Sequence, residues 1–429
     1  MKQYILTLIT IILLTSCSLI EDSLGPCQKD EDEVVTLSFQ MLTIPSYPGS
    51  RADGENHIEV GSEFSQFEDR IDVSDISLFV FAKVTGETDA EGKPTPEKLV
   101  LKTNDFLGDP AGAIGSSGNY VVTLKIARKE FYDALGIAAD PNSSVNLSFR
   151  VLMLANCNIG SVDWSKIDGT TYADVLNQIN QPDVWGIKMS YLYDYNGYDD
   201  VTKLYGKNSV PMFGTNTFVV SQRALYFSRP NQRVYLGEVE MLRALAKVRV
   251  VDNIQNKDVL GFPKVVSSTF IGTQSSVRPL PFDALNYKNG TQVHTPNIFD
   301  PNIALSTTNE VEYRLGLIPD SWIEPAVNKT GAVRIGFVPE QAIGTANGNV
   351  SLGLPIFRVE VAYNEDDIVS YDVPMTAYKN QTFNFGENIL RNHIYTLSIN
   401  DVENTILQLT VDLVPYRGCL LDPYFGLER

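Results

Sequence analysis

Histidine is nearly absent from this 429-residue chain: His57, His294 and His393 are all there is, each isolated in sequence. No HExxH, paired-cysteine zinc pattern, GxSxG elbow or glycine-rich phosphate loop is present, so the chemistries those motifs serve have no foothold. Carboxylates abound, yet nothing in their spacing selects two as a glycosidase pair. The expectation is a protein that is not an enzyme and needs no cofactor. Cysteine is scarce as well, and Cys17, Cys27, Cys157 and Cys419 are too few for a disulfide scaffold. Positive charge is in deficit: Asp and Glu number 52 against 34 Lys and Arg, a net charge of -18, which argues against nucleic acid or an anionic membrane surface as partner. Long apolar runs are limited to one, at the very start.

That run fixes the expected address. Lys2 gives a short cationic start, Tyr4 to Leu14 is almost unbroken apolar sequence, and Leu14-Thr15-Ser16-Cys17 closes it with small residues before a thiol. It is too short for a stable membrane span, and polar Ser18, Glu21 and Asp22 follow at once. The pattern resembles a bacterial lipoprotein signal, residues 1–17, in which Cys17 is the site of lipidation. Attachment to the outer membrane would then be through acyl chains, and more than one chain is what stable anchoring needs. An exported location also permits a bridge between Cys27 and Cys419, tying tether to tail. Cys157 follows an apolar run and reads as a buried thiol.

Residues 18–51 comprise a tether and a first strand. Ser18 to Glu33 is polar, with Gly25-Pro26 and the acidic run Asp30 to Glu33, and holds nothing that would repay the entropy of ordering it. From Val34 to Ile44 the character changes, because Val35, Leu37, Phe39 and Met41 alternate with Thr36, Ser38 and Gln40, the period of a half-buried strand. Pro45, Pro48 and Gly49 end it. The Gly- and acid-rich stretch that follows carries Arg51 and Arg70, so a good strand stands apart from the body of the protein, behind a linker that a protease could cut.

The remainder reads as a succession of strands. Ile71 to Ala82 (IDVSDISLFVFA) is apolar on both faces, as a central strand buried on both sides would be. Further strands are expected over Tyr120 to Ile126, Val145 to Leu154 and the VPMFGT run to Val220. Short helices are expected over Arg128 to Leu135 and Thr170 to Asn180. Val239 to Val251 has helix-like Ala and Leu content, but its β-branched end favours a long strand, bulged if irregular. Strand candidates continue over Lys264 to Gly272, Val311 to Ile318, Ala332 to Val338, Ile356 to Tyr363, Ile368 to Val373, Ile389 to Ile399 and Thr405 to Val414, with turn signals such as Asn289-Gly290 and Asn347-Gly348 between several of them. Many short strands with little helix mean β-sandwiches. Residues 52–233 and 234–414 form the expected two domains, and 415–429 a tail.

The lipoprotein signal, the isolated strand before an Arg, IDVSDISLFVFA, VPMFGT, LRALAKVRV and ILRNHIYTLSI together resemble the fimbrillins of the Bacteroidales, over essentially the whole chain. The resemblance implies an all-β protein of two transthyretin-like β-sandwich domains in tandem, a fimbrial subunit that mediates adhesion at the outer membrane. It also implies an Arg-specific protease that removes the first strand, with the open groove then filled by a strand from a neighbouring subunit in a head-to-tail polymer. Carried onto this sequence, Val34 to Ile44 is the removable strand, Arg51-Ala52 the cut, with Arg70 the other choice, and Thr405 to Val414 the donor. Stalk, anchor and tip subunits stay open, as does the host or bacterial receptor. The competing expectation is a surface glycan-binding lipoprotein, on the strength of Tyr191, Tyr193, Tyr195 and Tyr198 beside Asp199-Asp200, since aromatic faces near carboxylates suit sugar stacking. Asp199-Asp200 and Asn364 to Asp367 are also weighed as calcium ligands against solvated turns, with no EF-hand pattern to support the metal.

Overall fold

A computed structural model of the chain describes residues 34–43, 71, 75–103, 119–157, 167, 169–179, 187–188, 210–229, 231–273, 276–281, 311–314, 316–317, 333–342, 356–374, 388–389, 391–403 and 406–415. The protein is all-β. Its strands are β1 (Val34–Thr43), β2 (Ile76–Val84), β3 (Lys98–Thr103), β4 (Asn119–Ala127), β5 (Asn146–Ala155), β6 (Ile187–Lys188), β7 (Met212–Ser221), β8 (Val234–Arg243), β9 (Leu245–Asp252) and β10 (Lys264–Thr273). They continue with β11 (Ser276–Val277), β12 (Val311–Arg314), β13 (Gly316–Leu317), β14 (Val333–Pro339), β15 (Gln341–Ala342), β16 (Ile356–Ala362), β17 (Ile368–Pro374), β18 (Asn388–Ile389), β19 (His393–Glu403) and β20 (Ile406–Pro415).

The first sandwich is one sheet folded on itself. Its hydrogen-bonded order is β3-β2-β5-β7-β8-β1-β4, and the β7–β8 link spans only Met212 to Gly214 against Arg243 to Met241. At that corner the sheet turns, so β3-β2-β5-β7 forms one layer and β8-β1-β4 the other. Gly214 sits where a Cβ would lie 2.5 Å from the Met241 sulfur and 2.9 Å from the Glu240 carbonyl oxygen, a space only glycine leaves open. The layers enclose Val35, Leu37 and Phe39 from one side and Val80, Phe149 and Val151 from the other. The helix Arg128–Leu135 closes this core with Phe131, whose ring stacks on Phe149 at 5.7 Å, and ends at Gly136 in the left-handed region, φ 69°.

As its two-sided apolarity predicts, β2 is central, between β3 and β5. Leu78, Val80 and Ala82 face into the sandwich, while Phe79 and Phe81 face the opposite way, where the helix Tyr172–Ile179 covers them. The Thr171 hydroxyl caps that helix by accepting a 3.2 Å bond from the Asp174 N–H, and the Asp174 carboxylate accepts one from the Thr171 N–H. Its buried face is Tyr172, Val175, Leu176 and Ile179, the four positions the 3.6-residue period selects.

The second sandwich faces β13-β14-β9-β19-β20 against β12-β10-β16-β17. Val248, Ile335 and Leu397 on the first sheet meet Phe270, Phe357 and Val359 on the second. The Val239 to Val251 stretch, expected as one long strand, is shared out: β8 belongs to the first sandwich and β9 to the second, with a bend at Ala244 between them. The Ala244 N–H turns away from both ladders and donates to the Pro211 carbonyl at 2.8 Å. Around the bend, Asn392 donates its N–H to the Leu245 carbonyl at 2.9 Å and accepts from the Arg243 guanidinium at 3.3 Å. Asn392 has φ 56°, which is why the expected strand over Ile389 to Ile399 is broken before His393.

Next to it, Arg391 is 1% exposed and bonded through every nitrogen: Nε to Glu340 at 2.8 Å, Nη1 to the Pro279 carbonyl at 3.0 Å, and Nη2 to the Arg278 and Leu280 carbonyls. A buried guanidinium is tolerable only when its donors are met in this way.

Candidate functional site: the first strand and its slot

Strand β1 lies inside its layer, between β4 and β8. It pairs antiparallel with β4 from Val34↔Ala127 to Leu42↔Asn119, and parallel with β8 from Leu37↔Val234 to Thr43↔Met241. Val35, Leu37, Phe39 and Met41 are each 0% exposed. Burying four such side chains is worth roughly 6–12 kcal/mol, at about 1.5–3 kcal/mol each. That is comparable to the whole stability of a typical domain, about 5–15 kcal/mol. The sandwich therefore requires a strand in this slot, whichever chain supplies it.

The start of β1 is secured from outside the sheet. Arg128 donates through Nη2 to the Val34 carbonyl at 3.0 Å and the Ser228 carbonyl at 3.2 Å, and through Nη1 to the Leu225 and Tyr226 carbonyls. The Thr36 N–H donates to the Ser228 hydroxyl at 3.2 Å. A cation in the first turn of a helix opposes the helix dipole, so the carbonyl cage explains the arginine where helix propensity does not. Sequence reading did not find Arg128 or Ser228; nothing local marks an arginine as the fastener of a strand 94 residues upstream.

The expected donor, β20, is an edge strand. It pairs antiparallel with β19 from Glu403↔Ile406 to His393↔Pro415 and has no neighbour on its other side among the described residues. Leu407 and Leu409 are half-buried, against the full burial of the β1 set, and Ile406 is exposed. The two strands have the same length, ten residues, and the same alternation: VVTLSFQMLT in β1, ILQLTVDLVP in β20.

The two sandwiches also share a pairing pattern. β19 lies parallel to β9 from Ile394↔Lys247 to Ile399↔Asp252, as β1 lies parallel to β8. The long Val234–Asp252 run thus takes a parallel partner along each half.

Cys157 is a buried free thiol, as expected, bonded to the Ala155 carbonyl at 3.2 Å, and burial pushes its pKa well up. Asn364 to Asp367 is a solvated turn: the Asn364 side-chain oxygen accepts the N–H groups of Asp366 and Asp367 and closes the β16–β17 hairpin. Among the described residues no group of three or more His, Cys, Asp or Glu comes together as a metal site. His393 lies within β19, buried, with Nδ1 2.7 Å from the Arg391 carbonyl oxygen. Cys17, Cys27, Arg51, Ala52, Arg70, Asp199, Asp200 and Cys419 lie outside the described residues, as do Tyr191, Tyr193, Tyr195 and Tyr198.

No protein-family model matches the chain, and no curated protein sequence matches it. Among solved structures, it is similar to the tip fimbrial protein Mfa3 of Porphyromonas gingivalis, with C-terminal truncation, at 13% identity and a TM-score of 0.42, over 89% of this chain and 99% of that one. It is similar also to a fimbrial assembly protein of Parabacteroides distasonis, at 12% identity and a TM-score of 0.39, over 89% of this chain and 98% of that one.

Proposed function

We propose that this chain is a structural and adhesive subunit of a surface fimbria, exported as a lipoprotein through Cys17 and assembled by strand exchange. An Arg-specific protease cuts after Arg51, β1 leaves, and β20 of a neighbouring copy takes its slot. The observation that carries this reading is the setting of β1: a strand held on both edges, with four apolar side chains wholly buried, at the end of the chain nearest Arg51. Loss of β1 exposes the backbone edges of β4 and β8 together with an apolar groove, and strand addition from another chain satisfies both. β20 suits the slot in length and phase. Its half-buried leucines would gain burial there, a gain that favours exchange over rest at its own edge.

The competing outcome is a subunit that keeps β1, an anchor for the fibre. The Arg128 cage favours it, since its Nη2 holds the Val34 carbonyl at the strand start and Ser228, bound to the same guanidinium, holds the Thr36 N–H.

The test is to incubate the full chain with an Arg-specific protease and a labelled synthetic peptide of the β20 sequence. Excision of residues 34–43 with stable uptake of the peptide supports exchange. A chain that is cut yet holds β1 and takes up no peptide would leave the anchor reading.

A further inference from the structure

The slot that holds β1 is not uniform along its length. Leu37 and Ser38 pair with Val234 and Tyr235, and Gln40 and Met41 with Glu238 and Val239, so Phe39 alone stands opposite two residues of β8, Leu236 and Gly237. That is a β-bulge, which kinks its strand and locally increases the twist. Gly237 has φ 137°, and a Cβ there would lie 2.8 Å from the ring of Phe218, which belongs to β7 in the opposite layer. The bulge is thus pinned from across the core.

Phe39 is the one aromatic residue of β1. It is 0% exposed and lies in the same core cluster as Phe218, Phe149 and its β4 partner Val122. A smaller side chain in its place would leave a cavity, and cavities in a packed core are costly. The other face of the strand is closed as well. Thr36 is 0% and Ser38 6% exposed, so at these two places the slot takes small polar side chains.

β20 has the right period but different sizes. Set on β1 residue for residue, Leu407, Leu409, Val411 and Leu413 replace Val35, Leu37, Phe39 and Met41, while Gln408 replaces Thr36. Valine underfills the place of the phenyl ring, and glutamine overfills that of a fully buried threonine. Sliding β20 by two residues in either direction keeps the phase and puts Leu409 or Leu413 in place of Phe39. Ile406–Pro415 contains no aromatic residue, so no register supplies the ring.

From this mismatch we infer that Phe39 is the specificity-determining residue of the slot: its place opposite the Leu236-Gly237 bulge ranks strands by whether they bring an aromatic ring, and so holds β1 in preference to β20. While β1 is part of the chain it also competes intramolecularly, and the two advantages together keep copies from exchanging strands before the cut. The cut removes the second advantage, after which a β1 that leaves is lost by dilution. This rests on the proposed reading that the slot accepts a strand from another chain, and it adds which side chain decides the acceptance.

The test is binding to the full chain, cut with an Arg-specific protease and left uncut, of four labelled peptides followed by fluorescence anisotropy. They are residues 34–43, the same with Phe39→Val, residues 406–415, and the same with Val411→Phe. On the cut chain, the 34–43 peptide is expected to bind about tenfold or more tighter than 406–415, and Phe39→Val to remove most of that margin. Val411→Phe is expected to tighten 406–415 about tenfold, a gain that a merely structural role for Phe39 does not produce. The uncut chain is expected to take up none of the four. Equal binding of the 34–43 peptide and its Phe39→Val form, no gain from Val411→Phe, or entry of 406–415 into the uncut chain would each overturn the ranking while leaving strand exchange standing. A cut chain that admits none of the four, the 34–43 peptide included, would sink both.

Discussion

The guanidinium Nη2 of Arg128 donates a 3.0 Å hydrogen bond to the carbonyl of Val34, the first residue of β1, and thereby couples a helix start to the strand whose departure the proposed assembly requires. Hydrogen bonds to a charged donor are worth about 1.5–3 kcal/mol, and three further carbonyls share this guanidinium. Arg128→Met is expected to cost about 2 kcal/mol, seen as faster hydrogen exchange of the amides from 34 to 43. Arg128→Lys should recover only part, because an ammonium cannot span the four acceptors with a planar fork. Unchanged exchange in Arg128→Met would remove its role as fastener.

Gly214 sets the corner between the two layers of the first sandwich. A methyl group there meets the Met241 sulfur and the Glu240 carbonyl, and the second of these is backbone that cannot swing aside. Gly214→Ala is expected to destabilise by about 1–3 kcal/mol, the usual range for overpacking, measured as a lower urea midpoint. A midpoint equal to the parent's would mean that the corner opens without cost.

The Arg391–Glu340 pair lies buried beside the Ala244 junction, with side chains 1% and 6% exposed. Removing one partner strands the other charge, so Glu340→Gln and Arg391→Met should each cost about 3–5 kcal/mol. The double substitution should cost less than the sum of the singles. Additive costs would show that the two groups do not depend on each other.

Much of this architecture was legible in sequence where side chains alternate cleanly. β1, β4, β5, β16 and β20 fall within a residue or so of the stretches their patterns mark, and both longer helices begin within two residues of the position expected. β3, Lys-Leu-Val-Leu-Lys-Thr, was missed: it is short, an edge strand, and charged at two of its six positions, so its signal is weak. Ala244 was read through because alanine carries no mark of a bend; the break there comes from the Pro211 and Asn392 contacts, which are far away in sequence. Buried Arg391, Arg243 and Lys247 are invisible to any rule that reads charge as surface. For the candidate site, the strand and its proposed donor were legible; the Arg128 cage was not.

Stability should fall on the alkaline side. Burial raises the Cys157 thiol above its ordinary 9.0, and likewise the Tyr172 and Tyr371 phenols above 10.0, the last helped by the Tyr363 hydroxyl 2.5 Å away. The unfolded chain releases these protons at the ordinary values while the folded chain retains them. Stability from these groups is therefore complete below about pH 9 and is lost as pH rises further. Urea midpoints at neutral and alkaline pH should show this decline, and Cys157→Ala should shallow it. A slope identical in the variant would exclude the thiol as a contributor.

The central claim is that β1 leaves its slot and a neighbour's strand replaces it. The most direct test is the N-terminal identity of the protein taken from the surface of its native cells, read beside an SDS gel of unheated sample, for the parent and for Arg51→Ala. The account predicts a parent chain starting at Ala52 with a ladder that collapses on boiling, and a variant that keeps residues 34–43 and shows no ladder. A parent chain that starts at Cys17 and runs as a single band would contradict it.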